Sequence, residues 1–303
     1  IDKWLLSKYN KLVKNVTDSM EEYDLNKACK EINNFLNEDL SNWYIRRNRR
    51  RFWASELDDS KKAVYLTTYE VLTGLCKLMA PITPFVTDEI YVNLTNEESV
   101  HYADYPVCDE SKFNNEIETR MDLVRDLISL GRNAREEAKV KVRQPLNEVL
   151  LDAKNQKLIS DLTDLIKEEL NVKEVKFISD VSNYMNFNVK PNFKEVGKVF
   201  GPLIKDFQNK LLTLSMEEVS KLQNGEVLNM PSGDKEFEVN SSMVDVRTES
   251  KSGFDVANDT NNFIILNTEL TNDLVLEGIA REFVSKLKFK TELFNYQSAK
   301  YCI

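Results

Sequence analysis

Asn42-Trp43-Tyr44-Ile45-Arg46-Arg47-Asn48-Arg49-Arg50-Arg51-Phe52-Trp53 is the stretch from which the rest of this chain is best read. Five arginines stand among four aromatic residues, which supplies planar forks for phosphates beside flat surfaces for stacking. Recognition of unpaired RNA uses both. The competing reading is that some of these arginines pair with acidic neighbours and serve the fold. A helical period of about 3.6 residues sorts them. Arg47 and Arg50 continue the apolar stripe of Leu36, Leu40 and Trp43 and are expected to be structural. Arg49 falls on the opposite side with Ile45, Asn48 and Phe52. The candidate RNA-contacting set in this block is Arg46, Asn48, Arg49, Arg51, Phe52 and Trp53.

Outward from the block the helical pattern continues in both directions. Upstream, Leu5, Tyr9, Leu12, Val16, Met20 and Tyr23 recur every three or four residues, the stripe of an amphipathic helix. Asp24 is placed to cap a second helix, with Leu25, Cys29, Ile32, Leu36, Leu40 and Trp43 on one face. That helix is expected to run into the arginines and end near Leu57. A third follows from about Lys61 to Met79. Ala80-Pro81-Ile82-Thr83-Pro84-Phe85 must break it, because proline lacks an N–H and restricts its predecessor. Thr83 is then expected to cap a restart that has Pro84 at its first position. Ile117, Met121, Val124, Ile128, Gly131, Ala134 and Ala138 give a last stripe. Residues 1–138 therefore read as an antiparallel helical bundle.

At Lys139 the period changes. Lys139-Val140-Lys141-Val142-Arg143 alternates charge with valine, the pattern of a half-buried strand that Pro145 would confine to a sheet edge. Lys139, Lys141 and Arg143 would share one face, at a spacing that follows a phosphate backbone or guards an open edge. Beyond them, helical patterns (Leu158, Leu162, Leu165, Ile166, then Leu203 to Leu214) mix with short strands at Val175 to Ile178, Phe237 to Val239, Met243 to Val246 and Phe263 to Leu266. The fold expected is mainly α, with a second, α+β domain over 139–303.

Composition narrows the function classes. The chain has 303 residues, 42% of them hydrophobic, enough for about two cored domains. It lacks the run of about 20 apolar residues that a spanning helix needs, and its start resembles a cut from a longer soluble protein. Cys29, Cys76, Cys108 and Cys302 form no CxxC pair, so zinc is not expected. A formal charge of -9 leaves nucleic-acid binding to local basic clusters. His101 is the sole histidine and is read as structural, not catalytic. The pairs Glu136-Glu137, Glu168-Glu169 and Glu217-Glu218 are adjacent on helices and diverge, as solvated faces do.

The arginine block resembles the Asn-Trp-Tyr-Ile-Arg-Arg-x-Arg-Arg-Arg-Phe-Trp signature of isoleucyl-tRNA synthetases. Further similarity lies in Asp2-x-Trp4-x-Leu6-Ser7, Leu78 to Phe85 with Asp88-Glu89-Ile90-Tyr91, Ser99-Val100-His101, and Ser129-Leu130-Gly131-Arg132-x-Ala134-Arg135-Glu136. Lys139 to Leu146, Glu168 to Lys173, Lys190 to Phe193 and Glu277 to Val284 extend it. The two-proline turn is shared with valyl and leucyl relatives, while the arginine block and Lys139 to Leu146 select isoleucine. The resemblance is to the branch without a zinc-binding tail.

This resemblance implies the C-terminal, tRNA-binding region of a class I synthetase. The bundle would dock on the anticodon arm and the α+β part would reach toward the anticodon loop. The parent would attach isoleucine to tRNA with ATP and Mg, and edit misattached valine. No His-Ile-Gly-His-like or Lys-Met-Ser-Lys-Ser-like segment is present in this sequence, so the chain itself is expected to be non-catalytic and without a cofactor. Expected partners are isoleucine tRNA and the catalytic domain of the same parent chain, with no membrane, the protein acting as a cytoplasmic monomer. After Arg281-Glu282-Phe283-Val284 the sequence departs from the family through Lys286-Leu287-Lys288-Phe289-Lys290 to Tyr301-Cys302-Ile303, an end expected to be truncated or altered from about residue 285. The alternative function is a helical module that binds protein, for which Ile45, Phe52 and the acidic total speak.

Overall fold

The computed structural model describes residues 1–179, 181, 184–192, 196, 204–211, 214, 218, 222, 227–232, 235–259 and 261–300. Phe193, Leu203, Glu217 and Tyr301-Cys302-Ile303, named above, lie outside the described residues. The chain forms two compact units, Ile1–Leu123 and Val124–Ile303, with the division falling inside one helix.

The first unit is helical. Helix α1 (Asp2–Glu21) buries Trp4, Leu5, Tyr9, Leu12, Val13 and Val16, close to the stripe expected, and stops where Tyr23 takes φ 61°. Asp24 caps α2 (Leu25–Asn34) by accepting from the Lys27 N–H at 3.0 Å. Helix α2 passes directly into a π-helix, Phe35–Ile45. A single four-residue turn, α3 (Arg49–Phe52), follows. Then comes α4 (Asp59–Met79), capped by Asp58, which accepts from Lys61 N at 2.7 Å. Helices α1 and α4 approach so closely at Gly74 that a Cβ there would lie 1.9 Å from the Tyr9 hydroxyl oxygen.

The π-helix changes which residues face inward. Its i→i+5 bonding, seen where Arg46 N–H donates to Ser41 O, takes more residues per turn than an α-helix. The stripe expected at a constant period therefore slips. Within and after it the inward set runs Phe35, Leu40, Trp43, Tyr44 and Asn48, with Leu36 only half-buried; before it, in α2, Ala28 and Ile32 are buried while Leu25 and Cys29 are exposed.

After α4 the two-proline segment turns as expected, with the N–H groups of Ile82 and Thr83 both donating to Met79 O at 2.9 Å. Helix α5 (Pro84–Thr95) has Pro84 at its first position. Thr83 occupies the cap position without a side-chain cap; its hydroxyl turns back to Met79 O at 3.4 Å. His101 is exposed in a short 3-10 turn, Val100–Tyr102.

Helix α6 (Asn115–Glu137) spans the division between the units. In the second unit a four-stranded sheet has the order β2-β1-β8-β7, built from β1 (Leu146–Asp152), β2 (Val172–Ile178), β7 (Phe254–Asn258) and β8 (Phe263–Asn267). Strand β1 pairs parallel with β2 and antiparallel with β8. The crossover to β2 carries α7 (Gln156–Ile159) and α8 (Thr163–Leu170), and the buried sides of α6 and α8 meet at Gly131, where a Cβ would sit 2.5 Å from a Leu170 methyl. A second core gathers Val189, Val196, Phe207, Leu211, Leu222, Val239 and Val244. It involves the pair β3 (Met185–Pro191) and β6 (Val244–Ser250), helix α9 (Ile204–Leu211), and β5 (Lys235–Val239), which pairs with β4 (Leu228–Ser232). Helix α10 (Asn272–Lys300) closes the described chain.

The strand expected over Lys139 to Arg143 is not formed. Lys139 adopts φ 55°, and Val140 N–H donates to Arg135 O at 2.9 Å, so the segment closes α6 as a turn. Alternation alone does not make a strand where no neighbour supplies ladder hydrogen bonds. The sheet starts three residues later, at Leu146, and Pro145 is buried directly before its central strand.

Candidate nucleic-acid interface

The slip of the π-helix decides the roles within the arginine block. Asn48, expected outside, is 4% exposed. Its amide donates to Tyr44 O at 2.9 Å and its Oδ1 accepts from Arg51 at 2.9 Å. Arg51, also expected outside, presents its fork inward. Both terminal nitrogens meet the Asp2 carboxylate at 2.7 Å, Nε donates to Ser60 Oγ at 2.9 Å, and Nη2 donates to Ser60 O at 2.8 Å. Tyr44 donates its hydroxyl to the same Asp2 oxygen at 2.8 Å.

Electrostatics follows this geometry. Burial works against ionising Asp2, yet the hydrogen bonds from Arg51 and Tyr44 outweigh it and hold the carboxyl below its ordinary value of 3.8. The hydrogen bond to Asp2 raises Arg51 in turn, against the cost of burial. Asn48 and Arg51 are thus spent inside the protein, and the expectation that they face RNA is corrected. Of the two arginines expected inside, Arg47 is half-buried and Arg50 is exposed. A constant 3.6-residue period carried through the π-helix puts Asn48 on the outer side, where the structure instead buries it.

On the other side of the same short helix lies an open groove of about 570 Å³, lined by Ile45, Arg49, Phe52, Trp53, Tyr65 and Thr68. Arg49 and Trp53 are exposed, Trp53 at 85%. Phe52 is half-buried and meets Tyr65 edge to face, centroids 5.4 Å apart at 81°. Tyr65 donates its hydroxyl to Phe52 O at 3.3 Å, and Lys61 Nζ stands 5.8 Å from the Tyr65 ring centroid. Arg46 is exposed, with Nε donating to Asn42 O at 2.8 Å.

An exposed indole, a second aromatic wall and a guanidinium in one cleft can stack an unpaired base and hold its phosphate. Sequence reading had not selected Tyr65 and Thr68. Their signal was available on α4, where Tyr65 and Tyr69 lie one turn apart and off the buried line of Val64, Val71, Leu75 and Leu78. Asp2 and Ser60 gave no such signal, since their link to Arg51 is tertiary.

In the second unit Lys139, Lys141 and Arg143 are all exposed on the turn after α6. Lys141 pairs with Glu282 at 3.0 Å across an exposed surface. The turn is held from beneath by Arg135, 3% exposed, which donates to Leu170 O at 2.8 Å, to Lys141 O at 2.9 Å and to Gln144 O. Among the described residues, no group of three or more His, Cys, Asp and Glu side chains is placed to hold a metal ion. No helix among them is long and apolar enough to cross a membrane.

Residues 2–150 match the family described as the anticodon-binding domain of tRNA ligase. Over 297 residues the chain is 40% identical to an isoleucine–tRNA ligase of Clostridium novyi (strain NT), an alignment covering 95% of this chain and 28% of that protein. It is 38% identical over 293 residues to the enzyme of that name from Chlamydia muridarum (strain MoPn / Nigg), with 95% of this chain and 28% of the relative covered. With the Cytophaga hutchinsonii protein the figures are 37% over 305 residues, 95% and 27%. The chain thus spans little more than a quarter of the length of these relatives.

Proposed function

We propose, from the premise that this chain belongs with the isoleucine–tRNA ligases and carries the anticodon-binding domain of tRNA ligases, that it grips the anticodon arm of isoleucine tRNA. The observation that carries this reading is the groove of Arg49, Trp53 and Tyr65. An unpaired base enters between the two rings, and Arg49 pairs with a neighbouring phosphate as a planar fork. Arg46 and Phe52 flank that contact. In the second unit Lys139, Lys141 and Arg143 form a separate basic strip for backbone phosphates.

On this reading the chain contributes binding energy and placement, and no bond is made or broken on it. Activation of isoleucine with ATP and Mg, and hydrolysis of misattached valine, belong to the remainder of such a parent chain. That remainder is the second partner. We assign no cofactor to the chain, and place it as a monomeric part of a cytoplasmic enzyme.

Titration of the chain with isoleucine tRNA at several salt concentrations tests the proposal. The affinity should fall steeply with salt, and Arg49→Ala should lower the logarithmic slope by about one phosphate contact. Equal affinity for a stem lacking its anticodon loop, or an affinity indifferent to salt, would overturn it. Either outcome would favour a protein-binding module.

A further inference from the structure

We infer that Asp2, an acidic residue outside the groove, is a positioning residue for RNA binding, acting through Arg51 to hold the two walls of the groove in register. This inference rests on the proposed function.

The argument begins with the weakness of α3. A single turn of four residues does not hold itself together in water, because helix nucleation fixes more dihedrals than it makes hydrogen bonds. Yet this turn carries Arg49, Phe52 and Trp53, one wall of the groove, while Tyr65 and Thr68 of α4 form the other. Something outside the turn must fix the spacing of the walls.

Arg51 does this with all of its donor directions. Its two terminal nitrogens clasp Asp2 at the start of α1, its Nε and Nη2 bind Ser60 at the start of α4, and Nη1 also reaches Asn48 just before α3. Tyr44, completely buried, adds its hydroxyl to Asp2 at 2.8 Å. A bidentate guanidinium–carboxylate pair has one geometry rather than many, so the pair with Asp2 locks the α3 turn to the start of α1 and fixes the plane from which Arg51 reaches Ser60 in the N-terminal turn of α4. Five residues past Ser60 stands Tyr65, which closes on Phe52 by its ring and its hydroxyl. Remove the carboxylate and Arg51 keeps Ser60 but loses the anchor that orients its plane.

A sign separates this idea from ordinary electrostatics. Deleting a negative charge from a protein that binds a polyanion should tighten binding. If Asp2 is a positioning residue, deleting its charge should weaken binding instead. Asp2→Asn should weaken tRNA binding by roughly tenfold, the order expected for losing one well-placed arginine contact. Arg51→Gln should do the same, and the double variant should be no worse than either single one, since all three break one link. Tyr44→Phe, a gentler change that keeps the carboxylate, should weaken binding less. All variants are compared below their melting transitions, checked for each.

A second readout needs no RNA. Trp4 and Trp43 are buried while Trp53 is open, so acrylamide-quenchable emission reports chiefly on Trp53. Its anisotropy should fall in Asp2→Asn as α3 loosens. Tighter or unchanged tRNA binding by folded Asp2→Asn would overturn the inference, as would unchanged Trp53 anisotropy. Should the unaltered chain fail to bind tRNA, the proposed function falls, and the anisotropy decides whether Asp2 orders the groove.

Discussion

Arg51 in the first unit and Arg135 in the second both sit beneath a basic segment, and the two are held by opposite means. Arg51 meets a carboxylate in a bidentate pair, with side-chain exposures of 24% and 25% for Arg51 and Asp2. Arg135 is 3% exposed and meets carbonyl oxygens. The electrostatic result differs in sign. The Asp2 hydrogen bond raises Arg51, whereas burial lowers Arg135 to about 10. Carbonyls satisfy the geometry of a guanidinium without neutralising its charge. One of them, Leu170 O, belongs to the last residue of α8, where the partial negative charge of the helix end recovers part of the cost.

The difference teaches that a buried arginine serves wherever several backbone acceptors must be gathered, with or without an acid. Arg135 ties the end of α8 to the turn that carries Lys139, Lys141 and Arg143. Arg51 ties the starts of α1 and α4 to the turn that carries Arg49 and Trp53. In each unit the exposed cations assigned to RNA stand on a short segment with an inward cation nearby in sequence.

The largest effect should come from Arg135→Met. It strips donors from three carbonyls, each costing about 1 to 3 kcal/mol when left buried and less where water reaches it. A loss of about 3 kcal/mol in urea unfolding is expected, with hydrogen exchange quickening first in β1 and the turn before it. Unchanged exchange there would mean that the carbonyls find water and the parallel with Arg51 is superficial.

Acid should separate the two regions next. Because the folded-state value of Asp2 lies below 3.8, the unfolded chain takes up the proton first as pH falls. The stabilisation from the Asp2–Arg51 pair is therefore full above about pH 4 and is lost as pH drops through the folded value. Asp2→Asn should cost about 2 kcal/mol near neutrality, the pair being only partly buried. It should also remove part of the acid dependence below pH 4. An acid profile identical to that of the unaltered chain would sink the assignment.

The smallest effect on stability should come from Arg49→Ala, which removes an exposed side chain at the lip of the groove. Its unfolding free energy should move by less than about 0.5 kcal/mol. A larger loss would place Arg49 with Arg51 as a structural residue and erase the division of labour in the block.

The order of helices, the cap at Asp24, the break at the two prolines and the mixed second unit were all legible in the residues. So was the resemblance to isoleucine–tRNA ligases, which the dense arginine–aromatic motif and the two-proline turn carry. These features are local: a capping carboxylate acts over three residues, proline acts on its own backbone, and an apolar stripe of constant period marks a face.

The inward turn of Asn48 and Arg51 was not legible, and the reason is a phase. Eleven π-helical residues, Phe35–Ile45, run up to the first arginine of the block, so a position two turns on cannot be placed by counting in steps of 3.6. The turn at Lys139 failed for a related reason. Alternating charge and valine describes a strand only if a neighbouring strand completes it, and here the backbone N–H and carbonyl groups went to the end of α6 and to Arg135 instead. By itself the sequence determined that this protein is a helical bundle joined to an α+β unit, and that five of its arginines stand among aromatics in one segment and three further cations alternate with valine in another. Which of those groups face outward was decided by tertiary structure, because an arginine goes where its five donors find acceptors, and Asp2, Ser60 and Leu170 are brought there only by the fold.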